Sequence, residues 1–132
     1  MPQEFVVTAP RTIEFRRYSE PSLKPGEVRI RSVVSGIKTG TEMALYKGKT
    51  PFLNGRFDPE YRLFFPAEGN ALYPCNLGSW MVGEVMERGS AVTELRLGDH
   101  VHGNMAHRPT NIKPENELYV VPEGMSLETE VF

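Results

Sequence analysis

Glycine and proline cut this chain into short apolar segments. Twelve Gly and 11 Pro fall among 132 residues, and such punctuation favours short strands joined by turns over long helices. "EFVVTA" (Glu4 to Ala9) and "TIEFRR" (Thr12 to Arg17) flank a turn at Pro10-Arg11. In the second of these, Ile13 and Phe15 point one way and Thr12, Glu14 and Arg16 the other. "EVRIRSVVS" (Glu27 to Ser35) follows Pro25-Gly26 and alternates again, with Val28, Ile30 and Val34 on one face. "WMVGEVMERG" (Trp80 to Gly89) is apolar on both faces, as a central strand is. "LGDHVHG" (Leu97 to Gly103) and "ELYVVP" (Glu117 to Pro122) supply two further short strands.

One segment has a helical character. "TGTEMALYKG" (Thr39 to Gly48) opens with the Thr-x-x-Glu spacing of a capping box between Thr39 and Glu42. Met43, Leu45 and Tyr46 are placed to pack inward, and Gly48 to end the helix in a left-handed cap. Residues 49–77 form an aromatic insertion without a sustained period, carrying Phe52, Phe57, Tyr61, Phe64, Phe65 and Tyr73. A loop of this length and aromaticity is expected to pack down over the rest of the domain. The tail "PEGMSLETEVF" reads as a turn and a helix start, with Ser126 as N-cap and Glu128 and Glu130 in the first turn. So short a helix start suggests a piece of a longer protein, cut at a domain border.

Composition narrows the function classes. The chain is 39% hydrophobic and 24% charged, suited to one globular domain. A net charge of -2 gives no electrostatic reason to expect nucleic acid or an anionic membrane as partner. No apolar run approaches a membrane span, and Met1 to Pro10 lacks a signal pattern, so a cytoplasmic location is expected. The single Cys75 excludes an internal disulfide and any multi-cysteine zinc site.

Four segments in order resemble the N-terminal, GroES-like catalytic domain of the medium-chain dehydrogenase/reductase superfamily, the zinc-type alcohol dehydrogenases and their zinc-free relatives. They are "KPGEVRIRSVVSGI", "GTEMALYKG", "GSWMVGEVMERGSAVTELRLGDHVHG" and "NELYVVPEGMS". The third is the most specific, with its strand, its turn near Gly89 and Leu97-Gly98-Asp99-x-Val101 at the family's distance. The resemblance implies a mainly β fold, a GroES-like partly open β-barrel with one or two short helices spanning residues 1–132. A Rossmann domain binding NAD or NADP would follow residue 132, because this chain holds no Gly-x-Gly-x-x-Gly. The zinc enzymes of the family carry a Cys before the helix and a Gly-His-Glu before the central strand. Here Lys38 or Thr39 holds the first position and Gly78-Ser79-Trp80 the second. Neutral hydroxyls and an indole cannot replace thiolate and imidazole on zinc, so the resemblance is to the zinc-free subgroup.

Candidate site residues each carry an ordinary alternative. Thr41 matches a family position whose hydroxyl relays a proton from the substrate, and is also a first-turn Thr with local hydrogen bonds. Lys38 can polarise a carbonyl where zinc once did, or be an exposed loop lysine. Glu42 suits the capping box better than a general base. Tyr46, Ser79 and Trp80, with the aromatics of residues 52–73, either line a substrate cleft or pack a core and lid. Ser79 has no nucleophile elbow around it. His100 and His102 share a strand face with His107 nearby, which admits a metal site with Cys75 or Glu68 but is commoner at a surface. Asp99 serves the turn.

The resulting expectation is the substrate-side domain of a zinc-independent, NAD(P)-dependent oxidoreductase. It would act on a small organic alcohol or carbonyl with the following Rossmann domain as partner, be inactive alone, and possess no metal site. Homo-oligomerisation stays open. The alternatives are a stand-alone GroES-like binding or assembly module, and a metal enzyme built on His100 and His102.

Overall fold

The strand that is apolar on both faces sits in the middle of the sheet. The computed structural model describes residues 1–50, 55–66 and 72–131. The strands are β1 (Gln3–Ala9), β2 (Thr12–Arg17), β3 (Glu27–Gly36), β4 (Gly55–Asp58), β5 (Leu63–Pro66), β6 (Trp80–Arg88), β7 (His100–Asn104), β8 (Thr110–Pro114) and β9 (Tyr119–Val120). One helix, α1 (Thr39–Lys47), follows β3, and 3-10 turns occupy Glu115–Glu117 and Thr129–Val131. Five strands form one antiparallel sheet in the order β8-β3-β6-β7-β9. The sheet does not close on itself, so the mainly β, partly open architecture holds.

Burial explains the position of β6. Met81 and Val85 enter a core with Val28, Ile30, Val101 and Met105, while Val82 packs on the other face with Val121 and Val131. Fully burying one such side chain stabilises the fold by about 1.5–3 kcal/mol, which fixes the register of β6 against both neighbours. At the end of β6, Gly89 meets the chain leading into β3. A Cβ there would stand 2.2 Å from the Lys24 carbonyl oxygen and 2.4 Å from that of Pro25, so only glycine fits.

The β1–β2 hairpin is a separate two-stranded sheet whose turn places Arg11 at φ 60. It is tied to the rest by Val7, which exchanges backbone bonds of 2.9 and 3.0 Å with Cys75, and by Arg11 N–H, which donates to the Tyr46 carbonyl at 2.7 Å. The apolar face foreseen on β2 exists, but it is uncovered: Ile13 is 46% and Phe15 74% exposed.

Three sequence expectations need correction. The N-cap of α1 is Lys38, not Thr39, and no side chain caps the first turn from that position. Half of a box survives, because the Glu42 carboxylate accepts the backbone N–H of Lys38. The C-terminal end follows expectation, with Gly48 left-handed at φ 68. In the aromatic insertion, β4 and β5 pair as a hairpin whose aromatics are not packed down. Phe57 and Phe64 lie 5.2 Å apart and Tyr61 and Phe65 6.2 Å apart, touching each other while all four remain exposed. A two-stranded ribbon has too little surface to bury side chains of this size; Phe52 lies outside the described residues. Finally, the tail makes a 3-10 turn, with Ser126 Oγ 2.7 Å from Thr129 Oγ1, where a helix start was foreseen.

Candidate functional site

β3 and β6 end together, and the cleft forms where they do. Gly36 is the register partner of Trp80, so the chain leaving β3 carries Ile37 and Lys38 past the Trp80 ring before α1 begins. The Lys38 ammonium stands 5.7 Å from the ring centroid. On the other flank β7 places His102 opposite Val82, with its imidazole 5.8 Å from the Trp80 ring and stacked 5.4 Å from Tyr119. The turn Thr129–Val131 closes this side, putting Glu130 Oε2 3.1 Å from His102 Nε2. Ile37, Lys38, Trp80, His102, Glu130 and Val131 line a cleft of about 360 Å³.

Its chemistry is a cation over an indole face, with an imidazole–carboxylate pair opposite. Among the described residues no carboxylate lies within ion-pair distance of the Lys38 ammonium, which is exposed and rests against the Trp80 ring. The cation–ring contact orients the side chain and contributes about 0.5–1 kcal/mol. Such a site can hold an oxygen that gains negative charge and stack a ring against Trp80.

The sequence candidates separate in space. Lys38 and Trp80 share the cleft. Thr39 and Thr41 are exposed on the first turn of α1, and Ser79 is half-buried beside Trp80 without lining the cleft. Tyr46 lies on another side of α1, in an apolar pocket of about 180 Å³ with Phe5, Ile13, Met43 and Leu77. His102 and Glu130 were missed as cleft residues. The shared face of His100 and His102 was legible, but only tertiary packing decides that His102 is half-buried while His100 is exposed.

Glu42 is the one buried side chain of α1, 2% exposed. Besides holding the Lys38 backbone, its Oε1 lies 2.6 Å from His107 Nε2, and His107 Nδ1 lies 2.8 Å from Ser35 Oγ. The His107 ring stacks 5.8 Å from Phe5. This chain, buried at its Glu42 end, pins the start of α1, and with it Lys38, to β1 and β3.

The residues present do not suit the family's zinc. At the two positions that the resemblance gives to zinc ligands stand an ammonium or hydroxyl and an indole, and an ammonium would repel a cation. The three histidines do not converge: among the described residues no three His, Cys, Asp or Glu side chains are grouped to hold a metal. Cys75 sits away from the cleft against Val7, and burial pushes its thiol pKa up, away from thiolate. Burial, then the neighbouring Cys75, pushes the Tyr73 phenol up as well. Glu68 lies outside the described residues.

A five-stranded antiparallel sheet of this order, with one short helix between β3 and β6 and a cleft at that junction, defines a GroES-like β domain. The chain belongs to the alcohol dehydrogenase GroES-like domain family, whose pattern it matches over residues 24–120, the N-terminal domain of the medium-chain dehydrogenase/reductase superfamily. It is 30% identical over 132 residues to D-guloside 3-dehydrogenase of Escherichia coli K12, covering 94% of this chain and 38% of that protein. It superposes on 2R,3R-butanediol dehydrogenase from Bacillus subtilis with a TM-score of 0.74 at 20% identity, over 99% of this chain and 43% of that one. Escherichia coli quinone oxidoreductase, solved in complex with NADPH, gives a TM-score of 0.65 at 15% identity over 98% and 35%. The chain thus spans well under half the length of each of these relatives.

Proposed function

We propose that this chain is the substrate-side domain of a nicotinamide-dependent oxidoreductase that works without catalytic zinc. The observation that carries the reading is the Lys38 ammonium, 5.7 Å from the Trp80 ring centroid in the cleft, and the resemblance gives the family's first zinc-ligand position to Lys38 or Thr39. The relatives named above, two dehydrogenases and a quinone oxidoreductase crystallised with NADPH, support hydride transfer as the reaction class. NAD or NADP would supply the hydride. The chain has no glycine-rich phosphate loop, so the dinucleotide would be held mainly by a Rossmann domain beyond residue 132.

This chain's own residues would bind and orient the substrate. Lys38 donates to the substrate oxygen and stabilises the negative charge that develops on it. Trp80 and Ile37 exclude water from one side. Thr41, three residues on from Lys38, would relay the proton to solvent, with Thr39, next to Lys38, as the other candidate, both being exposed. Among the described residues no helix is long and apolar enough to cross a membrane.

The test uses the protein translated from the complete reading frame. Nicotinamide oxidation should persist after exhaustive chelation and fall at least about 100-fold in Lys38→Met, the loss of one charge-stabilising donor. A rate abolished by chelation and restored by zinc would sink the reading.

A further inference from the structure

The chain of Glu42, His107 and Ser35 is ordered as a nucleophile's support is. The Glu42 carboxylate has almost no solvent, and its Oε1 stands 2.6 Å from His107 Nε2. A carboxylate only accepts, so the ring proton of a neutral His107 sits on Nε2. That leaves the Nδ1 lone pair, and it faces the Ser35 hydroxyl at 2.8 Å. The ring is held in place, stacked on Phe5, and the His107 backbone N–H donates to the Leu77 carbonyl at 2.9 Å. Burial falls along the chain: Glu42 is buried, His107 half-buried and Ser35 exposed. A shielded carboxylate, an oriented base and a hydroxyl open to solvent are the parts of an activated serine.

Ser35 and His107 border a second cleft of about 280 Å³, whose other walls include Phe5, Phe15, Val33 and Arg108. The phenyl rings offer their faces to an aromatic group. The Arg108 guanidinium is shared between Glu4 at 3.2 Å and Asn111 at 3.3 Å, so the substrate must bring a good leaving group of its own. We infer that Ser35 is a nucleophile and that this cleft hydrolyses aryl esters. Ser35 Oγ bonds to the acyl carbon and its proton passes to His107 Nδ1. The bond from that carbon to the aryl oxygen breaks, and the departing phenol takes the proton from Nδ1. Water, deprotonated by the same nitrogen, then releases the acid and restores Ser35. Ser35 and His107 are the catalytic residues and Glu42 is a positioning residue. No lining residue is shared with the Lys38–Trp80 cleft, so this activity and hydride transfer stand or fall separately.

The test treats the 132-residue chain with diethyl 4-nitrophenyl phosphate, an aryl ester whose serine adduct does not turn over, and maps the label by peptide mass spectrometry. One diethylphosphoryl group should appear on Ser35 as one equivalent of 4-nitrophenolate is released, and 4-nitrophenyl acetate should be hydrolysed with turnover. Ser35→Ala should abolish both with the Tm unchanged, because the side chain is exposed. His107→Gln should slow labelling at least about 100-fold, the loss of a positioned base. Glu42→Gln should lower the maximal labelling rate and leave the half-saturating concentration unchanged, a split that loosened packing alone does not produce. Label on other side chains only, no label on the folded parent chain, or an unchanged rate in His107→Gln overturns the inference. The parent chain's own label decides the matter even where a His107 or Glu42 variant loses stability.

Discussion

Glu42 shows how a single carboxylate can matter more to a site than the residues pointing into it. It has no place in the cleft, yet it holds the Lys38 backbone and His107 from a position with almost no solvent. Glu42→Ala would leave a buried imidazole and a backbone N–H without their acceptor. It is expected to lower unfolding free energy by about 2–4 kcal/mol in urea denaturation. Lys38→Met, by contrast, removes only a weak cation–ring contact, and its stability should stay within about 1 kcal/mol of the parent while the activity falls. The contrast in legibility has a physical cause. Lys38 and Trp80 were readable because they stand in motif positions. The pairing of Glu42 with His107, 65 residues away, depends on how the loop after β7 folds back, and no local pattern encodes that.

Elements defined by their own periodicity were legible, and elements defined by a partner were not. β3, β6 and α1 fall within a residue of where alternation and capping place them. β8 was missed: "TNIKP" has one large apolar residue and no alternation, and it is a strand because Glu27–Arg31 of β3 supplies its ladder. The turn into β3 is tested by Gly89→Ala. Its Cβ would collide with backbone, so the Tm should drop, with a loss of about 1–3 kcal/mol. Glu115 clamps the segment before β7 by accepting backbone N–H groups of Thr93, Glu94 and Leu95 at 3.2, 2.9 and 3.1 Å. The Glu94 and Thr93 bonds lead in holding its pKa below the ordinary carboxylate value. A depressed carboxylate stabilises the fold fully above its ordinary range, and that contribution is lost as pH falls through the depressed value. Glu115→Gln should therefore flatten the acid side of the stability profile measured by urea titration across pH. The β4–β5 hairpin gives the opposite expectation. Phe57→Ser with Phe65→Ser should change unfolding free energy by no more than about 0.5 kcal/mol per site, because these rings are already exposed.

At the scale of the whole molecule, the order of motifs along the chain identified the family, since the sheet is assembled from segments whose sequence spacing is itself a constraint. The cleft's outline was less legible because its two flanks come from opposite ends of the chain, Lys38 and Glu130. The isolated 132-residue chain should show no nicotinamide oxidation with any carbonyl substrate; turnover by it alone would contradict the dependence on a cofactor domain. The pairing of β3 with β8 carries a consequence for synthesis. Glu27 has no lateral neighbour on that side until Pro114 has been made, so a nascent chain presents β3 with a bare edge while the whole segment between the two is translated. Contacts this distant in sequence close slowly, and an unpaired apolar strand invites another. The growing polypeptide is thus open to sticking to its neighbours on the polysome until β8 emerges, and a chaperone that shields that edge would raise yield without altering the finished fold.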